Sequence, residues 1–207
     1  TQAEIVAALP FVKAMKPVAG GYREPTPPAP ENLPPRTYHP TDLNYGLSFE
    51  QVNQINCIPL HDRGITGEGV LLCMLDTGYN LAHEALQSMN ILATWDFING
   101  DSVVTNEPGD PASQDDHGTF CSSACGASVD GTIYGPGFGA DFILGKTEDV
   151  SCELPIEEDY YVAGLEWADS LGADVVSTSL GYIDWYTYPD LNGDTCVTTV
   201  GVDLAVE

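Results

Sequence analysis

Runs of apolar residues alternate with mixed apolar and polar stretches along most of the chain. The continuous apolar run at 69–75 is typical of a strand buried on both faces, and shorter runs at 141–144 and 173–177 indicate two more strands. Small residues at 117–127 predict a helix packed closely on a sheet, and residues 156–171 predict an amphipathic helix. Strands that alternate with helices predict an α/β fold with a mostly parallel sheet and helices on both faces.

An apolar stripe marks the helix predicted at 156–171, and we expect this stripe to face the sheet. The stripe consists of Tyr161, Leu165, Ala168 and Leu171. Residues 49–60 are predicted to form another helix, and residues 203–207 resemble the opening of a helix without a stop signal.

The first 47 residues differ in composition from the rest of the chain. Residues 1–19 predict a helix end followed by a strand, and residues 20–47 form a proline-rich linker that its prolines hold extended. Residues 48–207 predict a globular unit. Because the chain starts with Thr rather than Met and stops inside a predicted helix, we expect both termini to be cuts in a longer, truncated polypeptide.

The charge balance excludes some classes of partner. The chain has 6 Lys and Arg residues against 31 Asp and Glu residues, for a net charge of -25. Such a surface repels phosphate backbones and anionic lipids, so we expect neither a nucleic-acid partner nor a membrane partner. No apolar run reaches the roughly 18 residues that a membrane-spanning helix needs.

Three short motifs follow or face the predicted strand ends. Asp76 comes directly after the first strand, His117 opens the small-residue helix, and a Ser-Leu-Gly sequence at 179–181 ends the third strand. In parallel sheets, active groups gather at the carboxyl ends of the strands, so these residues are predicted to meet. Taken singly, each also fits an ordinary role: a turn Asp bonded to its own backbone, a solvated His, and a strand exit.

The order and spacing of these motifs resemble those of the subtilisin-like serine protease family, the subtilases. The resemblance rests on Leu75–Gly78, Asp116–Thr119 and Ser177–Gly181, and it covers roughly residues 48–207. Further segments are similar to the family, and the one at 146–158 resembles a bacterial subgroup. These further segments are 67–70, 137–140, 146–158 and 167–176.

The resemblance implies an enzyme, a secreted serine endopeptidase that hydrolyses peptide bonds through an Asp–His–Ser triad. Asp76 and His117 would be its first two members, with His117 as general base and Asp76 holding the imidazole tautomer. Ser179, Leu180 and Gly181 would pair with the backbone of a polypeptide substrate as an added strand. By the same resemblance, residues 1–19 are the end of a propeptide, which is a partner of its own enzyme and is cleaved off within 20–47.

The family's remaining catalytic parts are missing from this sequence. The nucleophile belongs to a Gly-Thr-Ser motif and the oxyanion donor is an Asn, but neither follows Gly181 at a suitable distance, and Asn192 comes too early. We expect both groups beyond Glu207, and we expect this chain alone to be inactive as a peptidase. No cofactor is expected to be required.

Calcium is a possible structural ion, because a site near the N-terminus is frequent in the family. Ala85 stands where one Asp ligand of that site is expected. Asp190, Asn192 and Asp194 form a cluster of hard oxygen ligands, but an ordinary turn explains them as well, since no bidentate Glu follows. We therefore assign no metal ligand.

Three alternative interpretations of the motifs remain open. The Asp-Thr-Gly sequence at Asp76 is also the signature of aspartic proteases, which need two such carboxylates. His117, Cys121 and Cys125 lie on one helical stripe and would supply three of the four ligands that zinc needs. A non-catalytic pseudo-protease of the same fold, used for binding, is the third.

The six cysteines give no CxxC framework. Cys73 lies in an apolar strand and is predicted to be a small core residue. Cys152 and Cys196 lie in polar stretches and are the better candidates for a disulfide.

Overall fold

The computed structural model describes residues 43–206, together with Ala8 and Val12. The propeptide-like segment predicted at 1–19 and most of the linker predicted at 20–47 lie outside the described residues. These domain boundaries therefore stay predictions.

Four parallel strands form the central sheet, in the order β2–β5–β1–β6. The strands are β1 (Leu71–Asp76), β2 (Asn90–Asp96), β5 (Asp141–Lys146) and β6 (Val175–Thr178). Each neighbouring pair is parallel, and the register places Asp76, the last residue of β1, beside Lys146 at the end of β5. The mostly parallel α/β sheet predicted from the sequence is confirmed.

Six helices and a small hairpin surround this sheet in the described part of the chain. The helices are α1 (Phe49–Gln54), α2 (Ile58–His61), α3 (Glu84–Gln87), α4 (Asp116–Gly126), α5 (Ile156–Ser170) and α6 (Val197–Ala205). The hairpin pairs β3 (Ser128–Val129) with β4 (Ile133–Tyr134) in antiparallel fashion. None of the helices among these residues is both long and apolar enough to cross a membrane.

Alternate side chains of the central strands build two apolar layers, one on each face of the sheet. On one face, Met74 and Phe142 pack with Leu86 of α3 and with residues of α4. On the other face, Leu75 and Ile143 pack with the predicted stripe of α5. Because both faces of the sheet are covered at its centre, β1 and β5 consist of nearly continuous apolar residues, as expected for buried parallel strands.

Three of the helix predictions need correction. Residues 49–60 form two short helices rather than one, because Asn56 adopts a left-handed backbone with a φ of 57° between them. Leu171 is exposed, since it caps α5 where Gly172 turns the chain away. The helix expected to begin at 203–207 instead begins at Val197 and ends at Ala205, so residues 203–205 are its last turn.

The disulfide prediction is wrong, because all six cysteines are free in the described residues. Cys196 is fully buried, with its Sγ 3.7 Å from Glu158 Oε1 and 3.1 Å from Thr198 Oγ1, so its thiol faces polar core groups rather than Cys152. Cys73 is the core residue expected from the sequence, and burial raises the pKa of its thiol to about 12.

A buried ion pair joins the sheet to the long loop after β2. Lys146 is only 1% exposed, and its Nζ lies 2.9 Å from Asp96 Oδ2 and 2.9 Å from Asp110 Oδ2. Burial by itself lowers the pKa of Lys146, but hydrogen bonds and charges from Asp110 and Asp96 outweigh it and raise the pKa above its ordinary value. The pair therefore fixes the loop that leads to α4.

Candidate active site

Asp76 lies at the carboxyl end of β1 and is completely buried. Its backbone carbonyl accepts a hydrogen bond from Thr147 N, which extends the pairing with β5 by one residue. Its Oδ1 accepts a second hydrogen bond, 2.7 Å long, from Thr77 N. The carboxylate is thus held at the edge of the sheet by the strand that precedes it and the turn that follows.

His117 is the second residue of α4, and its Nδ1 lies 2.7 Å from Asp76 Oδ1. The side chain is 46% exposed, whereas the carboxylate of Asp76 is 1% exposed. The next residue, Gly118, makes this approach possible, because a Cβ there would lie 2.1 Å from the carbonyl oxygen of Gly78. The structure therefore brings the two predicted residues into direct contact.

This geometry suits general-base chemistry. A carboxylate that accepts a hydrogen bond from Nδ1–H fixes the tautomer in which Nε2 has a free lone pair. The buried carboxylate also stabilises the imidazolium that forms when Nε2 takes a proton. The pair can therefore activate a hydroxyl nucleophile that is brought to the exposed side of His117.

Ser179, Leu180 and Gly181 follow β6, which pairs with β1 and is the last strand of the sheet on that side. Ser179 and Gly181 are exposed, and nothing lies within 4 Å of the position of a Cβ added to Gly181. Among the described strands, none pairs with the outer side of β6. The segment therefore presents an accessible backbone at the same edge of the sheet as Asp76.

A family profile described as the subtilase family matches residues 67–201 of this chain. The matched range contains Asp76, His117 and the segment 179–181. The chain belongs to the subtilase family.

Two relatives agree with this assignment. The minor extracellular protease Vpr of Bacillus subtilis (strain 168) is 30% identical over 157 residues, which are 70% of this chain and 17% of the relative. Subtilisin Savinase of Lederbergia lenta is 28% identical over 133 residues, which are 63% of this chain and 44% of the relative. This subtilase chain thus spans less than half the length of either protein.

The solved structure of the CspB protease of Clostridium perfringens resembles this subtilase with a TM-score of 0.54. The two are 22% identical, and the match covers 74% of this chain and 38% of that chain. At this level of identity, the likeness supports the fold of the subtilase and not a particular activity.

Gln114 is a buried residue of the site that the sequence analysis missed. Its Nε2 donates hydrogen bonds of 2.6 Å to the carbonyls of Thr77 and Glu148, and its Oε1 accepts one from Val150 N. One amide therefore ties the turn after Asp76 to the loop after β5, just before α4 begins. Nothing in the sequence distinguishes Gln114 from a surface residue, because all three partners are distant backbone groups.

Cys121 lies one helical turn after His117 and contacts its ring. The thiol Sγ is 3.8 Å from Nε2 and 3.9 Å from Nδ1 of His117. Burial is the largest cause that raises the pKa of Cys121, and the charge of Asp76 adds to it, whereas a hydrogen bond with Ser179 opposes the rise. Cys121 is therefore a neutral thiol that packs beside the imidazole at neutral pH.

The residues that the structure brings together as zinc ligands differ from the three that the sequence suggested. Donor atoms of Asp76, His117 and Cys121 lie within 4.8 Å of one another, whereas Cys125 does not belong to this group and packs against the core. Structural zinc sites need four protein ligands, and only three are present in this group. Two of the three, Asp76 and His117, are hydrogen-bonded to each other, and Cys121 packs against the ring of His117. The arrangement therefore favours the catalytic interpretation of His117.

Modification of Cys121 is expected to inactivate the full-length subtilase. A mercurial bound to this Sγ would occupy the space beside His117 Nε2, and we expect kcat to fall by about 10²–10⁴-fold, the usual worth of general acid–base catalysis. The measurement is residual activity after treatment and after removal of excess reagent. The variant Cys121→Ser is expected to resist the mercurial and Cys125→Ser to remain sensitive; the opposite pattern would contradict the assignment.

The oxygen cluster considered for calcium forms an ordinary turn. Asp190 Oδ2 accepts hydrogen bonds from the backbone N and the hydroxyl of Thr187, which lower the pKa of Asp190. Asn192 Oδ1 accepts a hydrogen bond from Asp194 N. Asp190 Oδ2 and Asn192 Oδ1 thus each accept hydrogen bonds within the loop before α6, and calcium stays a prediction.

Proposed function

We propose that this chain is the Asp- and His-bearing part of a secreted serine endopeptidase. The observation that supports the proposal best is the 2.7 Å contact between His117 Nδ1 and Asp76 Oδ1 at the carboxyl edge of the sheet. This contact lies inside the range that matches the subtilase family. Secretion is supported by the relatives, of which one is named as an extracellular protease.

In the proposed reaction, His117 Nε2 takes the proton of a serine hydroxyl while the serine oxygen attacks the scissile carbonyl carbon. The resulting imidazolium, stabilised by Asp76, then gives this proton to the leaving amine as the peptide C–N bond breaks. Water repeats the cycle to release the acyl group. The proposal places the serine and the oxyanion Asn in the part of the protein that this chain does not span.

Polypeptide substrates would pair with the exposed backbone of Ser179, Leu180 and Gly181. Such pairing extends the sheet by one strand and gives affinity through main-chain hydrogen bonds. Main-chain pairing does not depend on the side chains of the substrate, so selectivity for particular substrate residues has to come from other parts of the cleft.

The proposal also includes a zymogen, in which residues 1–19 are the end of a propeptide and cleavage occurs within 20–47. The mature N-terminus would then lie within residues 20–47. N-terminal sequencing of the mature protein gives a direct check, and a start before Gly20 would contradict this part of the proposal.

Labelling of the natively purified protein with a fluorophosphonate tests the proposed function. We expect a labelled species clearly heavier than the 22.1 kDa of this chain, and we expect the 207-residue chain alone to remain unlabelled and inactive on casein.

Three other results of the labelling would count against the proposal. A label on the 207-residue chain itself would mean that one of its own serines is the nucleophile. No label on the processed full-length protein would favour the pseudo-protease. Undiminished labelling of a His117→Ala variant of the full-length protein would contradict the role given to His117.

A further inference from the structure

An apolar groove lies between α1, α4 and the β3–β4 hairpin, with a volume of about 530 Å³. The apolar side chains that line it include Leu47, Ile55, Phe120, Ala124, Val129 and Ile133. Leu47 is 74% exposed, Phe120 71% and Ile55 63%. Contiguous apolar surface of this kind is uncommon on a soluble protein unless something binds there.

The start of the globular part is fixed at the rim of this groove. Asn44 N donates a hydrogen bond to Asp130 Oδ1, and the Asn44 carbonyl accepts one from Gly131 N. Three residues later, Leu47 N donates to the Thr132 carbonyl. The chain that precedes Leu43 therefore joins the globular part beside the hairpin that forms one wall of the groove.

The segment that joins there, residues 20–42, has a composition that fits an apolar groove. It contains seven prolines and the large side chains of Tyr22, Leu33 and Tyr38. Proline-rich segments bind in grooves lined by aromatic and apolar side chains, because their extended backbone loses little entropy on binding. At about 3.1 Å per residue, an extended segment of this length is more than long enough to follow the groove.

Charge also favours this segment over a second copy of the acidic globular part. Four of the six Lys and Arg residues precede residue 43, and the segment 20–42 contains two of them, Arg23 and Arg36. Residues 43–206 contain only Arg63 and the buried Lys146, whereas the groove is flanked by the exposed carboxylate of Glu84. Two globular parts of such negative charge repel each other strongly. The segment has three acidic residues, Glu24, Glu31 and Asp42, beside its two arginines, so its net charge is only -1 and the repulsion that it meets is much smaller.

We propose that residues 20–42 of this chain bind back into the apolar groove between α1, α4 and the β3–β4 hairpin. In this proposal, their prolines and aromatic rings cover Leu47, Ile55 and Phe120. The inference stands apart from the hydrolytic function, since it concerns a surface that contains neither Asp76 nor His117.

The groove also leads toward the candidate active site. A neighbouring hollow shares His83 and Phe120 with it and extends to Asn80 and Asp116, the residue before His117.

Site-specific photo-crosslinking in the full chain tests the proposal. A benzophenone amino acid replaces Tyr22, Leu33 or Tyr38 in turn, and the same group at Tyr188, which is 90% exposed on a distant loop, is the control. After irradiation, crosslinked peptides are mapped by mass spectrometry. We expect intramolecular crosslinks from the segment to peptides that contain residues 47–55 or 120–133, and none of these from position 188.

A groove variant makes the test specific. Leu47→Ser combined with Ile55→Ser changes two exposed side chains, so the fold should persist, and circular dichroism checks this. We expect the crosslink yield to fall by about tenfold, which corresponds to a loss of about 1.4 kcal/mol of binding. The matched control Ile183→Ser, at a site equally exposed at 63%, should leave the yield unchanged.

Four outcomes would overturn the inference. Crosslinks that form only between two chains would assign the groove to a second copy. Crosslinks that map elsewhere on the same chain, or no crosslink from any of the three positions, would mean that the segment does not bind there. An undiminished yield in the groove variant would show that proximity to Leu43 alone produces the crosslink.

Discussion

The change Asp76→Asn is expected to lower kcat of the full-length subtilase by about 10⁴-fold, with KM nearly unchanged. The amide retains the oxygen that accepts a hydrogen bond from Thr77 N, so the turn should keep its shape. It removes the negative charge that faces His117 Nδ1 at 2.7 Å, and with it the group that fixes the imidazole tautomer and stabilises the imidazolium. The general base is then lost although its ring remains in position.

The measurement is steady-state kinetics on a peptide substrate, with thermal unfolding as a check of the fold. Asp116→Asn is the matched control, because Asp116 is an exposed carboxylate next to His117 in the chain but is not its hydrogen-bond partner. We expect this control to retain most of the activity. A loss of less than tenfold in Asp76→Asn, or an equal loss in Asp116→Asn, would exclude the proposed role of Asp76.

The change Lys146→Met is expected to lower the free energy of unfolding by about 3–5 kcal/mol, the usual cost of removing one partner from a buried ion pair. Two carboxylates, Asp96 and Asp110, would lose their common cation, and Asp96 is completely buried. Methionine fills a similar volume, so the loss reports charge rather than a cavity. Denaturant unfolding at neutral pH, followed by circular dichroism, measures it.

The same ion pair predicts the direction of the pH dependence. Burial alone would raise the pKa of Asp110, but its hydrogen bond and ion pair with Lys146 and a backbone hydrogen bond lower it below the ordinary 3.8. A lowered folded-state pKa contributes stability above pH 3.8 that is lost as the pH falls through the folded-state value. Lys146→Met should remove this part of the acid sensitivity.

Arg63→Met is the control for the stability experiment, because Arg63 is an exposed cation outside this pair. We expect it to change the free energy of unfolding by about 0.5 kcal/mol or less. If Lys146→Met costs no more than Arg63→Met, the ion pair does not stabilise the fold.

The parts of the fold that local pattern determines could be predicted from the sequence. A buried parallel strand is the structure that the apolar run ending at Leu75 predicts, and it forms there as β1. The small residues after His117 predict a helix that packs closely on the sheet, and it forms there as α4. Placement of Asp76 and His117 at one edge follows from that topology, so their meeting was predictable before any distance was known.

The strand β2 and the break at Asn56 could not be predicted in the same way. Residues Asn90–Asp96 mix polar and apolar side chains, because this edge strand pairs with β5 alone among the described strands. Asn56 adopts its left-handed backbone in the short link between α1 and α2, which pack with one another in a small separate core. In both cases tertiary packing determines the local conformation, and the local sequence pattern does not indicate it.

The buried polar residues were a further feature that could not be predicted from the sequence. Gln114, Lys146 and Glu158 all look like surface residues in the sequence, yet each is nearly inaccessible and bonded to distant partners. Their burial depends on loops that return from elsewhere in the chain. Periodicity describes which face of an element is apolar, but it does not describe which loop closes over a polar end.

The outer side of β6 affects how the isolated chain behaves in solution. Val175 and Val176 are 47% and 36% exposed there, beside backbone groups that no described strand pairs with. Such an edge is a template for the edge of another copy and hence for aggregation. The net charge of -25 opposes this aggregation, because copies of the chain repel each other. Salt weakens the repulsion, since the electrostatic screening length falls from about 30 Å at 0.01 M to about 8 Å at physiological ionic strength. Concentrated stocks of this chain therefore keep best in dilute buffer, and the salt that protects many proteins would promote its precipitation.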